Sequence, residues 1–158
     1  VMEAAIRTAY FAITGKNLKD VEVTAVRGIN EVKKGEVDID GTKVRVAVVH
    51  GMANAHDILE EVRACKKAGK RAPYEFIEIM ACRGGCVAGG GQPYGTTDVL
   101  RDERMKGLYG DDEHCVVRCS HDNPSIKKLY KDYLGAPLSE KSEKLLHTNY
   151  KEVPVYKA

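Results

Sequence analysis

The sequence has 158 residues, of which 43% are hydrophobic and 30% are charged, a composition typical of one globular domain. Disorder, collagen-like repeats and coiled coils are therefore excluded. With 25 Lys and Arg against 23 Asp and Glu the net charge is only +2, so no nucleic-acid partner is expected. No apolar run reaches the length of a membrane span, and five cysteines without a secretion signal favour a reducing, cytoplasmic compartment.

Hydrophobic periodicity and turn residues divide the chain into helices and strands. The predicted elements are a helix over 2–13, a strand over 21–26, a hairpin of 36–39 and 42–49, a helix over 54–67, a strand over 74–80, and helices over 99–109, 126–134 and from Ser139. The pair Asp40-Gly41 predicts a type I′ turn in the hairpin. The order strand, helix, strand favours a parallel pair joined by a right-handed crossover.

Together these elements predict an α/β fold: a small, largely parallel sheet with a β-hairpin, flanked by helices, and a helical C-terminal third. No linker or internal repeat divides the sequence, so we expect a single unit over residues 1–158. Because an amphipathic pattern is already under way at Val1, we expect the chain to be a piece of something longer.

The loop after the last predicted strand concentrates cysteine and glycine. Cys82 and Cys86 stand in a CxxxC pattern, and six of the 15 glycines fall between Gly84 and Gly95. Glycine permits turns with positive φ, and its lack of a Cβ lets backbone N–H groups approach cluster sulfurs closely. Cysteine thiolates are soft ligands suited to iron-sulfur or zinc chemistry. Since α/β sheets bind ligands at the carboxyl ends of their strands, we expect the chemistry in this loop.

The residues of this loop do not match a nucleotide-binding or a thioredoxin-type motif. A phosphate-binding loop requires GxxxxGK followed by Ser or Thr, or GxGxxG opening a helix, and the sequence has neither pattern. Thioredoxin-type redox chemistry uses CxxC, whereas the spacing between Cys82 and Cys86 is CxxxC. The sequence therefore predicts a metal-binding loop.

Residues 76–93, FIEIMACRGGCVAGGGQP, resemble the last cluster-binding signature of iron-only (FeFe) hydrogenases. Further stretches resemble that family in the same order, at residues 1–10, 25–28, 46–51, 123–135 and 145–150. The resemblance therefore covers almost the entire chain. The related eukaryotic iron-sulfur assembly proteins share a cysteine-glycine motif, but usually with Ser-Gly where this chain has Gly84-Gly85, and they rank second.

The resemblance implies a cofactor in which a 4Fe-4S cluster, held by four cysteines, is joined through one of them to a diiron subsite with CO, cyanide and dithiolate ligands. By position, Cys82 would ligate the 4Fe-4S cluster alone, and Cys86 would be shared by the cluster and the diiron subsite. Gly84 and Gly85 would form the cofactor-binding turn, and Met80 would lie beside the diiron subsite. The implied reaction is the reversible heterolytic splitting of dihydrogen into a proton and a hydride.

The chain holds only two of the four cysteine ligands expected in that family. The resemblance therefore implies that an upstream lobe of the same catalytic domain supplies the other two, and the chain alone is expected to be inactive. The other implied partners are dihydrogen, protons and an electron carrier such as ferredoxin. The electron donor and the direction of the reaction are left open.

A second CxxxC pattern, formed by Cys115 and Cys119, offers an alternative. Together with Cys82 and Cys86 it could form a closed four-cysteine site for zinc or a 4Fe-4S cluster within this chain. The spacing counts against zinc, whose cysteines usually come as CxxC. The fifth cysteine, Cys65, lies on the apolar stripe of a predicted helix and is expected in the core.

The histidines form no HxxH or HExxH metal-binding pattern. His50, at the end of a predicted strand, is a minor candidate for lining the site. His56 and His114 are expected at the surface, and His147 is expected to pack against or cap the last helix.

Overall fold

A three-stranded sheet is central to the computed structural model, which describes residues 1–19, 23–28, 30–151 and 153–154. These residues form two compact units, Val1–Cys119 and Ser120–Ala158, and the single domain expected over residues 1–158 stays a prediction. The sheet lies in the first unit. Within the described ranges, no helix is both long and apolar enough to cross a membrane.

The sheet has the order β1 (Val32–Ile39), β2 (Thr42–His50), β3 (Phe76–Met80). Strands β1 and β2 pair antiparallel, and β2 and β3 pair parallel, so the sheet is mixed. Asp40 and Gly41 both have positive φ, of 53° and 81°, as a type I′ turn requires. The predicted hairpin and the predicted parallel pair are therefore both confirmed.

The central strand β2 separates two apolar layers, because successive side chains of a strand point to opposite faces. On one face it packs with helix α1 (Met2–Thr14), in a buried cluster of Met2, Ile6, Val26, Val46 and Val48. On the other face it packs with helix α2 (Met52–Lys67), in a buried cluster of Ala47, Val49, Ala55 and Ile58. The α/β fold class expected from the sequence is confirmed.

Two expectations about strands are wrong in the described residues. Of the strand expected over residues 21–26, residues 21 and 22 lie outside the described ranges, and Thr24–Val26 form a 3-10 turn. This turn buries Val26 in the cluster against α1, and such packing overrides the strand preference of β-branched residues. Strand β3 is also less buried than expected, with Phe76 43% and Ile79 41% exposed, because it lies at an edge of the sheet.

Helix α3 (Asp98–His114) follows the cysteine-glycine loop. Near its end, Asp112 accepts hydrogen bonds from Arg7 at 3.0 Å, Arg27 at 3.2 Å and Arg118 at 2.6 Å. These guanidinium groups, Arg7 first, hold the pKa of the Asp112 carboxyl well below its usual range. The network therefore ties α3 to α1, which carries the buried Arg7.

The second unit is helical, as expected for the C-terminal third. Asn123 caps α4 (Pro124–Leu129) by accepting the N–H groups of residues 125 and 126, and the helix continues as a wider π-turn over Tyr130–Leu134. Ser139 caps α5 (Glu140–Leu146) by accepting the N–H of Ser142. The backbone N–H of His147 closes this helix on Glu143, which confirms its predicted capping position.

Candidate functional site

The candidate site lies where β2 and β3 end side by side. The parallel register places His50, the last residue of β2, opposite Met80, the last residue of β3. The N–H of Gly51 donates to the Met80 carbonyl at 2.8 Å, which fixes the two strand ends together. The loop with Cys82 and Cys86 leaves the sheet directly after Met80, so it lies at the carboxyl edge of the sheet, as the sequence predicts.

A tight turn separates the two cysteines. Gly84 and Gly85 are buried and have φ of 84° and 65°, in the left-handed region that side chains disfavour. The N–H of Gly85 donates to the Cys82 carbonyl at 3.0 Å, and a 3-10 turn over Gly85–Ala88 then carries Cys86. A Cβ on Gly85 would lie 2.6 Å from the Met80 sulfur. The turn therefore needs glycine both for its backbone conformation and for its close approach to Met80.

His50 supports this turn from the sheet. Its Nδ1 accepts the Gly84 N–H at 3.0 Å, and its ring is almost completely buried, with 2% exposure. Burial, with a further contribution from the positive charge of Lys33, lowers the pKa of His50, which favours the neutral ring. Among the described residues, the other ring nitrogen, Nε2, has no hydrogen-bond partner and is also buried.

Two arginines brace the loop from outside. Arg104 of α3 donates to the Val87 carbonyl at 2.9 Å, to Thr96 Oγ1 at 3.1 Å and to the Pro93 carbonyl at 3.3 Å. It thereby joins the 3-10 turn that carries Cys86 to the far end of the glycine-rich loop. Arg83, between the two cysteines, pairs with Glu31 at 2.9 Å and Asp98 at 3.3 Å.

Cys86 borders two cavities. The larger, of about 370 Å³, is bordered by Cys86 and Met80 together with residues of α1, β1, β2 and α3. The smaller, of about 310 Å³, is bordered by Cys82, Cys86, Met80 and the loop glycines. Cys86 and Met80 thus border both cavities, whereas Cys82 borders only the smaller one.

The larger cavity is mostly apolar, and its polar lining side chains include Glu3, Lys33, His50, Glu78 and Tyr109. Lys33 is 7% exposed and its ammonium donates to the Gly28 carbonyl at 2.8 Å. Burial lowers the pKa of Lys33, while the nearby Glu78 carboxylate opposes that shift. Glu78 itself accepts the N–H of Met2 at 3.0 Å, which ties it to α1.

The structure brings together every residue predicted for the site: Met80, Cys82, Gly84, Gly85 and Cys86. Both cysteines are free thiols with exposed side chains, as soft metal ligands require. His50, a minor candidate from the sequence, lies directly in the site.

The alternative four-cysteine zinc site is not assembled. Cys115 is exposed and Cys119 is buried, and across the described part of the chain no three of the four cysteine sulfurs of the two CxxxC patterns come within 4.8 Å of one another. Cys65, expected in the core, is half-buried on α2. His56 and His114 are exposed, as expected.

The sequence analysis missed Lys33, Glu78 and Arg104. Glu78 carried a readable signal, since it is a charged residue between two isoleucines in a predicted strand. Lys33 carried no such signal. Strand β1 begins four residues before its predicted start, so Lys33 lay outside the predicted strand. Arg104 lies on a helix with many charged residues, and nothing in the sequence distinguishes it from them.

Comparisons with known proteins point to one family. Residues 1–90 match the family model described as iron only hydrogenase large subunit, C-terminal domain, and residues 98–153 match the model of the iron hydrogenase small subunit. The NADP-reducing hydrogenase subunit HndD of Solidesulfovibrio fructosivorans is 46% identical over 95% of this chain and 25% of its own length. A probable cytosolic Fe-S cluster assembly factor of Drosophila persimilis is 34% identical over 72% of this chain and 23% of its own.

A solved structure gives the same result at the level of the fold. A variant of the FeFe-hydrogenase HydA1 from Chlamydomonas reinhardtii matches with a TM-score of 0.73 and 37% identity, over 94% of this chain and 43% of that chain. The chain spans about a quarter of the length of these curated relatives and less than half of the solved one.

Proposed function

We propose that this chain, which belongs to the family of the iron-only hydrogenase large subunit, supplies part of a catalytic site. The proposed reaction at that site is the reversible splitting of dihydrogen into a proton and a hydride. In this proposal Cys82 and Cys86 are two of the four thiolate ligands of a 4Fe-4S cluster, and Cys86 also binds a diiron subsite. The observation that carries the proposal is that Cys86 borders both cavities, whereas Cys82 borders only the smaller one.

The two cavities suit the two parts of the group. A thiolate shared by two metal centres has to face both, and of the two cysteines only Cys86 does so. We assign the smaller cavity to the 4Fe-4S cluster and the larger to the diiron subsite. Met80 borders both cavities, which agrees with a position beside the diiron subsite.

Three features of the chain fit such a group. The two thiols are soft, exposed donors on one short turn. The turn has glycine at two consecutive positions, 84 and 85, so its backbone there is open to a bulky neighbour. The wall of the larger cavity contains His50, whose buried Nε2 lacks a partner among the described residues and can donate to a bound group.

When bound, the diiron subsite with its CO, cyanide and dithiolate ligands supplies the centre at which dihydrogen is split, and the 4Fe-4S cluster carries electrons. The chain's own residues orient and shield that centre. Val87 and Met105, both buried, form part of an apolar wall of the larger cavity, which limits the access of water on that side. The ammonium of Lys33 places a positive charge in the same wall, which stabilises an anionic group in a water-poor site.

The proposed site needs ligands that this chain does not supply. Two thiolates do not complete the usual four-cysteine coordination of a 4Fe-4S cluster, so we propose that an upstream lobe of the same catalytic domain supplies the other two. The proposed partners also include an electron carrier such as ferredoxin, and the proposed location is the cytoplasm.

The test compares the chain alone with the chain expressed together with the upstream lobe. Both samples are reconstituted anaerobically with iron and sulfide and then loaded with the diiron subsite. We expect dihydrogen turnover only in the two-part sample, with about four irons in the 4Fe-4S cluster. Turnover by the chain alone would refute the need for an upstream lobe.

Two further outcomes distinguish the alternatives. If the chain alone binds about four irons and loses them in a Cys115→Ser variant, the four-cysteine module replaces our proposal. If the two-part sample holds the 4Fe-4S cluster but neither accepts the diiron subsite nor turns over dihydrogen, a role like that of the assembly factors replaces it.

A further inference from the structure

His50 is the most deeply buried polar side chain at the site. Its ring is 2% exposed, it spans from the end of β2 to the cysteine turn, and it borders the larger cavity. One nitrogen, Nδ1, is engaged by the turn, and the other, Nε2, has no partner within the described part of the chain. A buried polar atom without a partner is rare in native proteins, so this atom needs an explanation.

The hydrogen bond from Gly84 determines where the ring hydrogen is. A backbone N–H is always a donor, so Nδ1 has to accept with its lone pair. In a neutral imidazole the single hydrogen is then on Nε2. A hydrogen on Nδ1 would face the Gly84 N–H across only 3.0 Å and break this contact. The unpartnered Nε2 is therefore an N–H donor.

The charged neighbours of His50 do not offer this donor an acceptor. Lys33 is an ammonium with donors only, and its Nζ donates to the Gly28 carbonyl. Glu78 accepts the N–H of Met2, and neither it nor Glu31 forms a hydrogen bond with His50 among the described residues. The acceptor that satisfies Nε2 is then a group that enters the cavity.

We infer that His50 is a positioning residue with two functions: Nδ1 holds the Gly84 turn between the two cysteines, and Nε2–H donates to a sulfur atom of the group bound in the larger cavity, which His50 and Cys86 both border. The inference rests on the proposed function, because the sulfur acceptor is present only if Cys86 carries the cluster. A donor to cluster sulfur stabilises the more negative, reduced state, so it raises the reduction potential. His50 therefore fixes the shape of the ligand turn and also tunes the cluster that the turn binds.

The first function is tested on the chain without cofactor. Long-range proton–nitrogen NMR correlations on chain labelled with ¹⁵N-histidine should place the ring hydrogen of His50 on Nε2. Amide hydrogen exchange should show Gly84 protected relative to Gly90, for whose N–H the described residues offer no hydrogen-bond partner. A hydrogen on Nδ1, or a Gly84 amide that exchanges as fast as that of Gly90, overturns this function.

The second function is tested with two variants that each keep one half of the imidazole. In His50→Asn the side-chain oxygen can occupy the place of Nδ1 and accept from Gly84, but no donor reaches the place of Nε2. In His50→Gln the amide group can reach the place of Nε2, while the acceptor for Gly84 is lost. Both variants and the wild type are prepared with the upstream lobe, the 4Fe-4S cluster and the diiron subsite, and the midpoint potential is measured by EPR-monitored titration.

We expect His50→Asn to keep its iron content and Gly84 protection and to shift the midpoint potential to more negative values. His50→Gln should keep a potential near that of the wild type but lose the protection of Gly84. An unchanged potential in loaded His50→Asn overturns the donor function and leaves the proposed function intact. If the wild type takes up no cluster, the proposed function and the donor function fail together, while the NMR result still decides the first function. Should the variants not fold, the wild-type tautomer and exchange data remain decisive.

Discussion

The close approach of Gly85 to Met80 predicts that Gly85→Ala destabilises the chain, through backbone strain and through displacement of the Met80 side chain. In Gly85→Ala the alanine would have to adopt the left-handed backbone conformation of Gly85, and its Cβ would lie 2.6 Å from the Met80 sulfur. Left-handed backbone at an alanine costs roughly 1–2 kcal/mol, of which the reduced entropy of the unfolded chain offsets about 0.4–1 kcal/mol. Displacing the Met80 side chain adds about 1–3 kcal/mol, as for overpacking in a core. The sum is a loss of roughly 1–5 kcal/mol of unfolding free energy.

Two other glycines of the same loop serve as matched controls. Gly91 also has positive φ, of 93°, but a Cβ there meets nothing within 4 Å, so Gly91→Ala should cost about 1 kcal/mol. Gly90 has neither the positive φ nor a neighbour, so Gly90→Ala should leave stability unchanged or raise it by up to about 1 kcal/mol.

The assay is urea-induced unfolding followed by far-UV circular dichroism, for each variant alone and in a Met80→Ala background. Without the Met80 sulfur, Gly85→Ala should cost no more than Gly91→Ala does, because only the backbone strain remains. If Gly85→Ala costs the same with and without the Met80 side chain, the contact does not limit residue 85 and the reasoning is refuted.

Two further predictions concern residues that brace the site. Asp112→Asn should lower the unfolding free energy by about 2 kcal/mol at pH 7, because it removes the carboxylate that the buried Arg7 shares with Arg27 and Arg118. Since the folded-state pKa of Asp112 is depressed, its contribution is present above the unfolded pKa of about 3.9 and is lost as the pH falls further. Urea unfolding between pH 7 and pH 3 should therefore show a weaker acid destabilisation in Asp112→Asn, and identical pH profiles would contradict the assignment. Arg104→Ala should speed amide exchange across residues 88–96 at least tenfold, while Lys106→Ala on the same helix, whose partners are exposed, should not. Equal exchange in the two variants would show that Arg104 does not hold the loop.

Much of the architecture was predictable because its signals are local. The Asp40-Gly41 turn, the helix caps at Asn123 and Ser139 and the apolar run of β2 each depend on residues near one another in the sequence. The cysteine-glycine loop was readable for the same reason, since its two cysteines and its turn lie within five consecutive residues, 82–86.

What the sequence did not reveal depends on contacts between distant residues. His50 and Gly84 are 34 positions apart, and only the parallel register of β2 and β3 brings them together. Arg104 meets Val87 across 17 positions, through the return of α3 over the loop. The turn at Thr24–Val26 was predicted as a strand because its propensity favours one, whereas packing against α1 determines its conformation.

The central claim, that Cys82 and Cys86 ligate the cluster, is tested most directly by the iron and sulfide content of cysteine variants. The chain and the upstream lobe are reconstituted together for Cys82→Ser, Cys86→Ser and the control Cys115→Ser. The account predicts a clear loss of iron and sulfide in the first two variants and full occupancy, about four of each, in the control. Full occupancy in both Cys82→Ser and Cys86→Ser, or a loss confined to Cys115→Ser, would contradict it.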